Sequence, residues 1–139
     1  MPSSPTELNT QSAPLRVILE APARAILGKP VPLDFSVVNA GPAEVTLAVQ
    51  GREPVADFLV TDPGGRPVWS LLKGQIMRGS LRLLPLAAGK RLRFRQTWGQ
   101  VDDAGAAVPP GDYLVRAALI TDTPGGISSP SFRLSIVRS

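Results

Sequence analysis

The side chains able to do chemistry in this chain are few in kind. Its 139 residues carry eleven carboxylates and fifteen lysines and arginines, and no histidine or cysteine. A Ser-His-Asp triad, a Cys-His pair and imidazole or thiolate metal ligation are therefore excluded. Paired carboxylates, one acting as acid and one as base, are the acid–base arrangement to look for next. Asp102 and Asp103 are adjacent, and neighbouring residues of a strand point to opposite faces, so they do not make such a pair. Asp62, Asp112 and Asp122 are expected at turns, where a short carboxylate satisfies local backbone. No D-x-D-x-D-G spacing gathers oxygen ligands around a calcium ion. The glycine-rich stretches Asp62–Gly65 and Pro124–Gly126 match no phosphate-binding loop and read as turns. The expectation is a protein that is not an enzyme and uses no cofactor and no metal.

Two stretches carry possible binding chemistry. Arg91, Arg93 and Arg95 alternate with Leu92, Phe94 and Gln96, so the arginines share one face of a strand. Arg82, Arg116 or Arg133 would extend the row across neighbouring strands. Such a face could grip phosphates, but nucleic-acid surfaces of this kind interleave aromatic side chains for stacking, and none occur on this face. A net charge of +4 is also mild. The expected role is a solvated sheet surface that discourages aggregation, with no nucleic-acid partner. The second stretch is K-G-Q-I-M-R-G-S, with Lys73, Gln75, Ile76, Met77 and Arg78 as candidate contacts to a protein partner. Ile76 and Met77 are apolar, lie between Gly74 and Gly79, and break the alternation around them. Either they project into a partner's pocket, for which flexible methionine is suited, or they fold back over an open end of the domain.

The elements that position these residues follow from period-two alternation. Strands are expected over Leu15–Glu20, Val31–Asn39, Ala43–Gln50, Ala56–Thr61, Arg66–Leu71, Leu81–Pro85, Lys90–Trp98, Asp112–Ile120 and Ser131–Arg138. Leu33, Phe35 and Val37 should face the core, with Asp34 and Ser36 in water. The segment 21–30 is expected only to turn the chain. The strands over 31–39 and 43–50, joined by N-A-G-P, should form a hairpin or a neighbouring crossover. Residues 68–77 could instead make a helical turn or two. Trp69, Trp98 and Tyr113 read as core aromatics. P-P-G-D-Y, at Pro109–Tyr113, places a tyrosine just inside a strand after a Pro-Gly turn. That is the setting of a tyrosine corner, in which the hydroxyl bonds back to upstream backbone.

Eight or nine short strands with turn signals about every ten residues argue for an all-β protein, an immunoglobulin-like antiparallel β-sandwich of about eight strands. A closed barrel is the alternative. Residues 1–14 are polar and proline-rich and read as a flexible N-terminal tail, leaving 15–139 as a single domain. The N-terminus lacks the basic start and apolar run of a secretory signal. No apolar run approaches the roughly 20 residues that span a bilayer. No membrane association and a cytoplasmic location are expected.

The order of four segments resembles the intracellular proteinase inhibitors of the BsuPI type. They are F-S-V-V-N-A-G-P-A-E-V-T-L, D-F-L-V-T-D-P-G-G-R-P-V-W-S, G-K-R-L-R-F-R-Q-T-W and P-P-G-D-Y-L-V-R-A-A-L, within about residues 31–120. Where that family tends to carry an aromatic after V-W-S, this chain has L-L-K-G-Q-I-M. The resemblance implies a non-enzymatic immunoglobulin-like module that inhibits an intracellular subtilisin-type serine protease. An interaction or structural domain of the same fold without inhibitory activity is the alternative.

Overall fold

The structure, a computed structural model, describes residues 15–50, 53–73, 81–122 and 126–139. Among these residues there is no helix. In chain order the strands are β1 (Leu15–Glu20), β2 (Arg24–Ile26), β3 (Val31–Asn39), β4 (Val45–Gln50), β5 (Ala56–Thr61) and β6 (Pro67–Ser70). They continue as β7 (Leu81–Leu86), β8 (Arg91–Trp98), β9 (Gly111–Leu119), β10 (Ile127–Ser128) and β11 (Phe132–Val137). The alternating runs of the sequence thus became strands close to their expected bounds. The helical alternative for 68–77 fails where it is described, because Pro67–Ser70 pairs with β5.

Three sheets form. One has the order β1-β3-β8, a second β2-β11-β9-β5-β6 with β10 also on β9, and a third pairs β4 with β7. All pairings are antiparallel except β2 with β11, which is parallel. The arrangement is an all-β, immunoglobulin-like sandwich. β3 and β4 do not form a hairpin: β3 lies between β1 and β8, and β4 pairs with β7. Asn39 explains the break. It is fully buried, its Nδ2 donates to the Ala43 and Leu86 carbonyls at 2.8 Å, and its Oδ1 accepts from the Gly41 amide. One side chain thereby steers the chain from one sheet to the next.

The core lies between the two larger sheets. Val31, Leu33, Phe35 and Val37 from β3 face Phe58, Val60, Val115 and Leu134 from the opposite layer, all at 0–1% exposure. Each such side chain contributes roughly 1.5–3 kcal/mol by leaving water. Phe35 meets Phe58 edge-on at 6.3 Å and stacks on Phe94 at 6.0 Å. At one end Trp98 lies between Trp69, at 6.2 Å, and Tyr113, at 5.8 Å. The Trp98 Nε1 donates to the Val101 carbonyl, so burial leaves its polar tip satisfied. Tyr113 makes the expected corner, its hydroxyl donating to the Pro109 carbonyl at 2.6 Å.

Three local expectations are corrected. The segment 21–30 holds a strand, β2, too short to show a period. Ser36 is buried, although it shares β3's outer parity with Asp34. Asp112 is inside β9 rather than at a turn.

Candidate functional site

The candidate loop begins where β6 ends. Leu71 donates its amide to the Phe58 carbonyl at 2.9 Å, and Leu72 donates its amide to Asp57 Oδ1 at 3.0 Å. One residue upstream, the Ser70 amide donates to Asp103 Oδ1 at 3.0 Å. Two carboxylates from distant parts of the chain therefore hold the end of β6 and the residues just after it. Lys73 follows with φ of 52°, a left-handed conformation that ends the strand geometry. Gln75, Ile76, Met77 and Arg78 lie outside the described residues, so Lys73 alone of the five candidate contacts is placed. It is exposed.

The described residues resume with β7. Pairing of β7 with β4 sets Leu84 and Leu86 opposite Leu47 and Val45, facing the core. The other parity sets Leu81 and Leu83 opposite Gln50 and Ala48, facing outward. Leu81 is 55% exposed and Leu83 is 67% exposed, the most exposed large apolar side chains among the described residues. The sequence hides this feature. L-R-L-L-P-L carries leucines on both parities, so its pattern alone does not say which leucines face water.

The other candidate groups have structural partners. Asp102 Oδ1 accepts from the amides of Ala104 and Ala106 at 2.9 Å, a local turn. Asp62 caps its own turn by accepting from the Arg66 amide. Asp112 is gripped by Arg133 and receives the Ser135 hydroxyl at 2.7 Å, and these hydrogen bonds hold its carboxyl below the usual range. Among the described residues no group of three acidic side chains is placed to hold a metal ion.

The arginine row is real but shorter than expected. Arg91, Arg93 and Arg95 are exposed on β8, whereas Arg82, Arg116 and Arg133 sit on β7, β9 and β11 in other sheets. An acid interrupts the row. Asp34 stands directly opposite Arg95 on β3. Arg93 Nε donates to both of its carboxylate oxygens at 3.1 Å, and Arg95 Nε lies 3.7 Å away. The Arg93 hydrogen bond is the largest cause of a lowered Asp34 pKa. Burial pushes the Tyr113 phenol up, consistent with a hydroxyl kept as a donor.

No protein-family model matches the chain, and no curated protein does. Some solved structures are similar in structure to this chain. An alkylpurine DNA glycosylase from Pseudomonas fluorescens, solved bound to DNA containing an abasic site analog, is 19% identical, with a TM-score of 0.51. The match covers 95% of this chain and 32% of that one, so the chain spans about a third of the glycosylase. The CARDB domain of a Pyrococcus furiosus protein, in complex with di-metal ions, is 14% identical over 90% of this chain and 94% of its own, with a TM-score of 0.46. A Listeria innocua β-glucosidase is 11% identical, with a TM-score of 0.48. That match covers 88% of this chain and 16% of the glucosidase. At 19% identity the likeness to the glycosylase is one of fold alone.

Sequence reasoning missed a buried polar side chain that makes as many hydrogen bonds as Asn39. Gln100 is 2% exposed and has φ of 58°. Its Oε1 accepts from the Gly28 amide at 3.0 Å, and its Nε2 donates to the Ile26 and Lys29 carbonyls at 2.8 Å. It fastens the β2–β3 connection to the turn after β8. No motif announces it; a glutamine beside Gly99 reads as a loop residue.

Proposed function

We propose that this chain is a non-catalytic β-sandwich that binds another protein through the loop beginning at Lys73 together with the outer face of β7. Inhibition of an intracellular subtilisin-type serine protease is the specific form that the sequence resemblance supports. The observation that carries the binding reading is the outward pair Leu81 and Leu83, on the strand that immediately follows the candidate loop. Exposed apolar side chains grouped beside a loop on a rigid scaffold favour a protein partner. A sandwich of the same fold that binds a partner without inhibiting a protease is the second reading.

The test is titration of a purified subtilisin-type protease with the purified chain, followed by Leu83→Asp and Met77→Asp. Stoichiometric loss of peptide hydrolysis is expected for the parent chain. Each substitution should weaken inhibition by about tenfold or more, as central interface contacts do, with the urea midpoint unchanged. Full protease activity at a large excess of the parent chain removes the inhibitory reading.

A further inference from the structure

Among the described residues one edge of β8 has no paired strand, and this edge supports an interaction distinct from the surface around β7. β8 is the last strand of its sheet, and among the described residues it pairs only with β3. The Asn39 amide donates to the Lys90 carbonyl just before β8 begins. In an antiparallel ladder the hydrogen-bonded pairs recur at every second residue. Leu92, Phe94, Gln96 and Trp98 therefore direct their backbone groups toward β3. Arg91, Arg93, Arg95 and Thr97 direct theirs toward the open edge. None of these is proline, so every amide on that edge is a donor.

Side chains and backbone thus agree. The residues whose amides and carbonyls face outward along the sheet are those whose guanidinium groups stand on its outer face. On the inner face, Leu92 and Phe94 are only partly buried, while Val37 and Phe35 directly opposite them are fully buried. Among the described residues, burial on the β8 side is incomplete. The chain itself also shows what the arginines accept from a neighbouring strand. On the β3 side they hold Asp34, an acid directly across from Arg95.

We infer that β8 binds an extended acidic segment of a partner protein by strand addition, with Asp or Glu at alternate positions against Arg91, Arg93 and Arg95 and apolar residues between them against Leu92 and Phe94. Backbone hydrogen bonds supply the register of such addition and alternate side chains supply the selectivity. Charge complementarity fixes the sign of the partner. Opposite charges directly across a strand pair attract, and like charges there repel. The reading does not depend on protease inhibition.

The test uses a fluorescent peptide of alternating Asp and Val residues, matched in length to β8, with fluorescence anisotropy as the readout. Controls are an alternating Lys and Val peptide, the acidic peptide N-methylated at alternate amides in each of the two registers, and a single-stranded oligonucleotide of equal charge. The acidic peptide should bind, the lysine peptide should not, and Arg91→Glu with Arg95→Glu should weaken binding by about tenfold or more. Arg93 is left intact because it holds Asp34. One N-methyl register should abolish binding and the other should not, and amide exchange should slow at Arg91, Arg93 and Arg95. Failure of the acidic peptide to bind overturns the inference. So does equal tolerance of both N-methyl registers, or equal affinity for the oligonucleotide, since either would show attraction by charge alone.

Discussion

Gln100→Ala is expected to be among the most damaging single changes outside the apolar core. The substitution removes three hydrogen bonds, at 3.0, 2.8 and 2.8 Å, and leaves the Gly28 amide and the Ile26 and Lys29 carbonyls without that partner. A net loss near 1 kcal/mol per bond puts the cost at roughly 3 kcal/mol, and more where a freed group stays out of water. Against a typical total of about 5–15 kcal/mol this is a large fraction. With a urea slope of about 2 kcal/mol/M, the midpoint should fall by about 1.5 M. Gln100→Gly separates side chain from backbone. It loses the same three bonds but relieves the left-handed φ of 58°, and should be about 1 kcal/mol less damaging than alanine. Amide exchange should accelerate first at Leu27, whose amide donates to the Val137 carbonyl at the end of the β2–β11 pairing. A midpoint shift below about 0.5 M for Gln100→Ala, at an unchanged slope, would refute the claim that this side chain fastens the β2–β3 connection. Equal midpoints for alanine and glycine would refute the backbone part.

Tyr113→Phe deletes one neutral hydrogen bond to Pro109 and keeps the ring against Trp98; about 1 kcal/mol of stability should be lost, read as a lower urea midpoint. Stability should also fall in acid. Asp34 and Asp112 both have lowered carboxyl pKa values, through hydrogen bonds with Arg93 and with Arg133 and Ser135 respectively. A group depressed in the folded state stabilises fully above its unfolded value, about 3.9, and loses that contribution as the pH falls through the folded value. Unfolding midpoints measured from about pH 5 down to pH 2 should therefore decline, and replacing Arg93 and Arg133 with Met should flatten that decline.

Where one face of a strand is dry and the other wet, the sequence was sufficient. β1, β5, β8 and β11 alternate in burial along their length, and β3 does so apart from the buried Ser36. The tyrosine corner was legible because Pro, Gly and Tyr each carry a separate physical constraint at that site. β2 and β10 were not, since three and two residues cannot display a period. Their existence depends on distant partners, β11 and β9. Ser129 belongs to the same class. Its hydroxyl accepts the Ala117 amide and its own amide donates to the Ala117 carbonyl, bridging the step between β10 and β11. Of the candidate contact surface, Lys73 is legible in the sequence, whereas the outward Leu81 and Leu83 are not. Their direction is set by register with β4, which is a tertiary fact.

The parallel pairing of β2 with β11 also bears on how this chain folds. Ala25 and Ile136 face each other across that pairing though they are about 110 residues apart, and long loop closures of this kind slow folding. During synthesis the ribosome releases β2 many seconds before β11, at about 5–20 residues per second. Throughout that interval β2 has no ladder to join, and the Gln100 fastening, once translated, would hold a segment not yet paired. Closure of this pairing therefore waits on β11, whereas β1, β3 and β8 are translated earlier and can pair among themselves in the meantime.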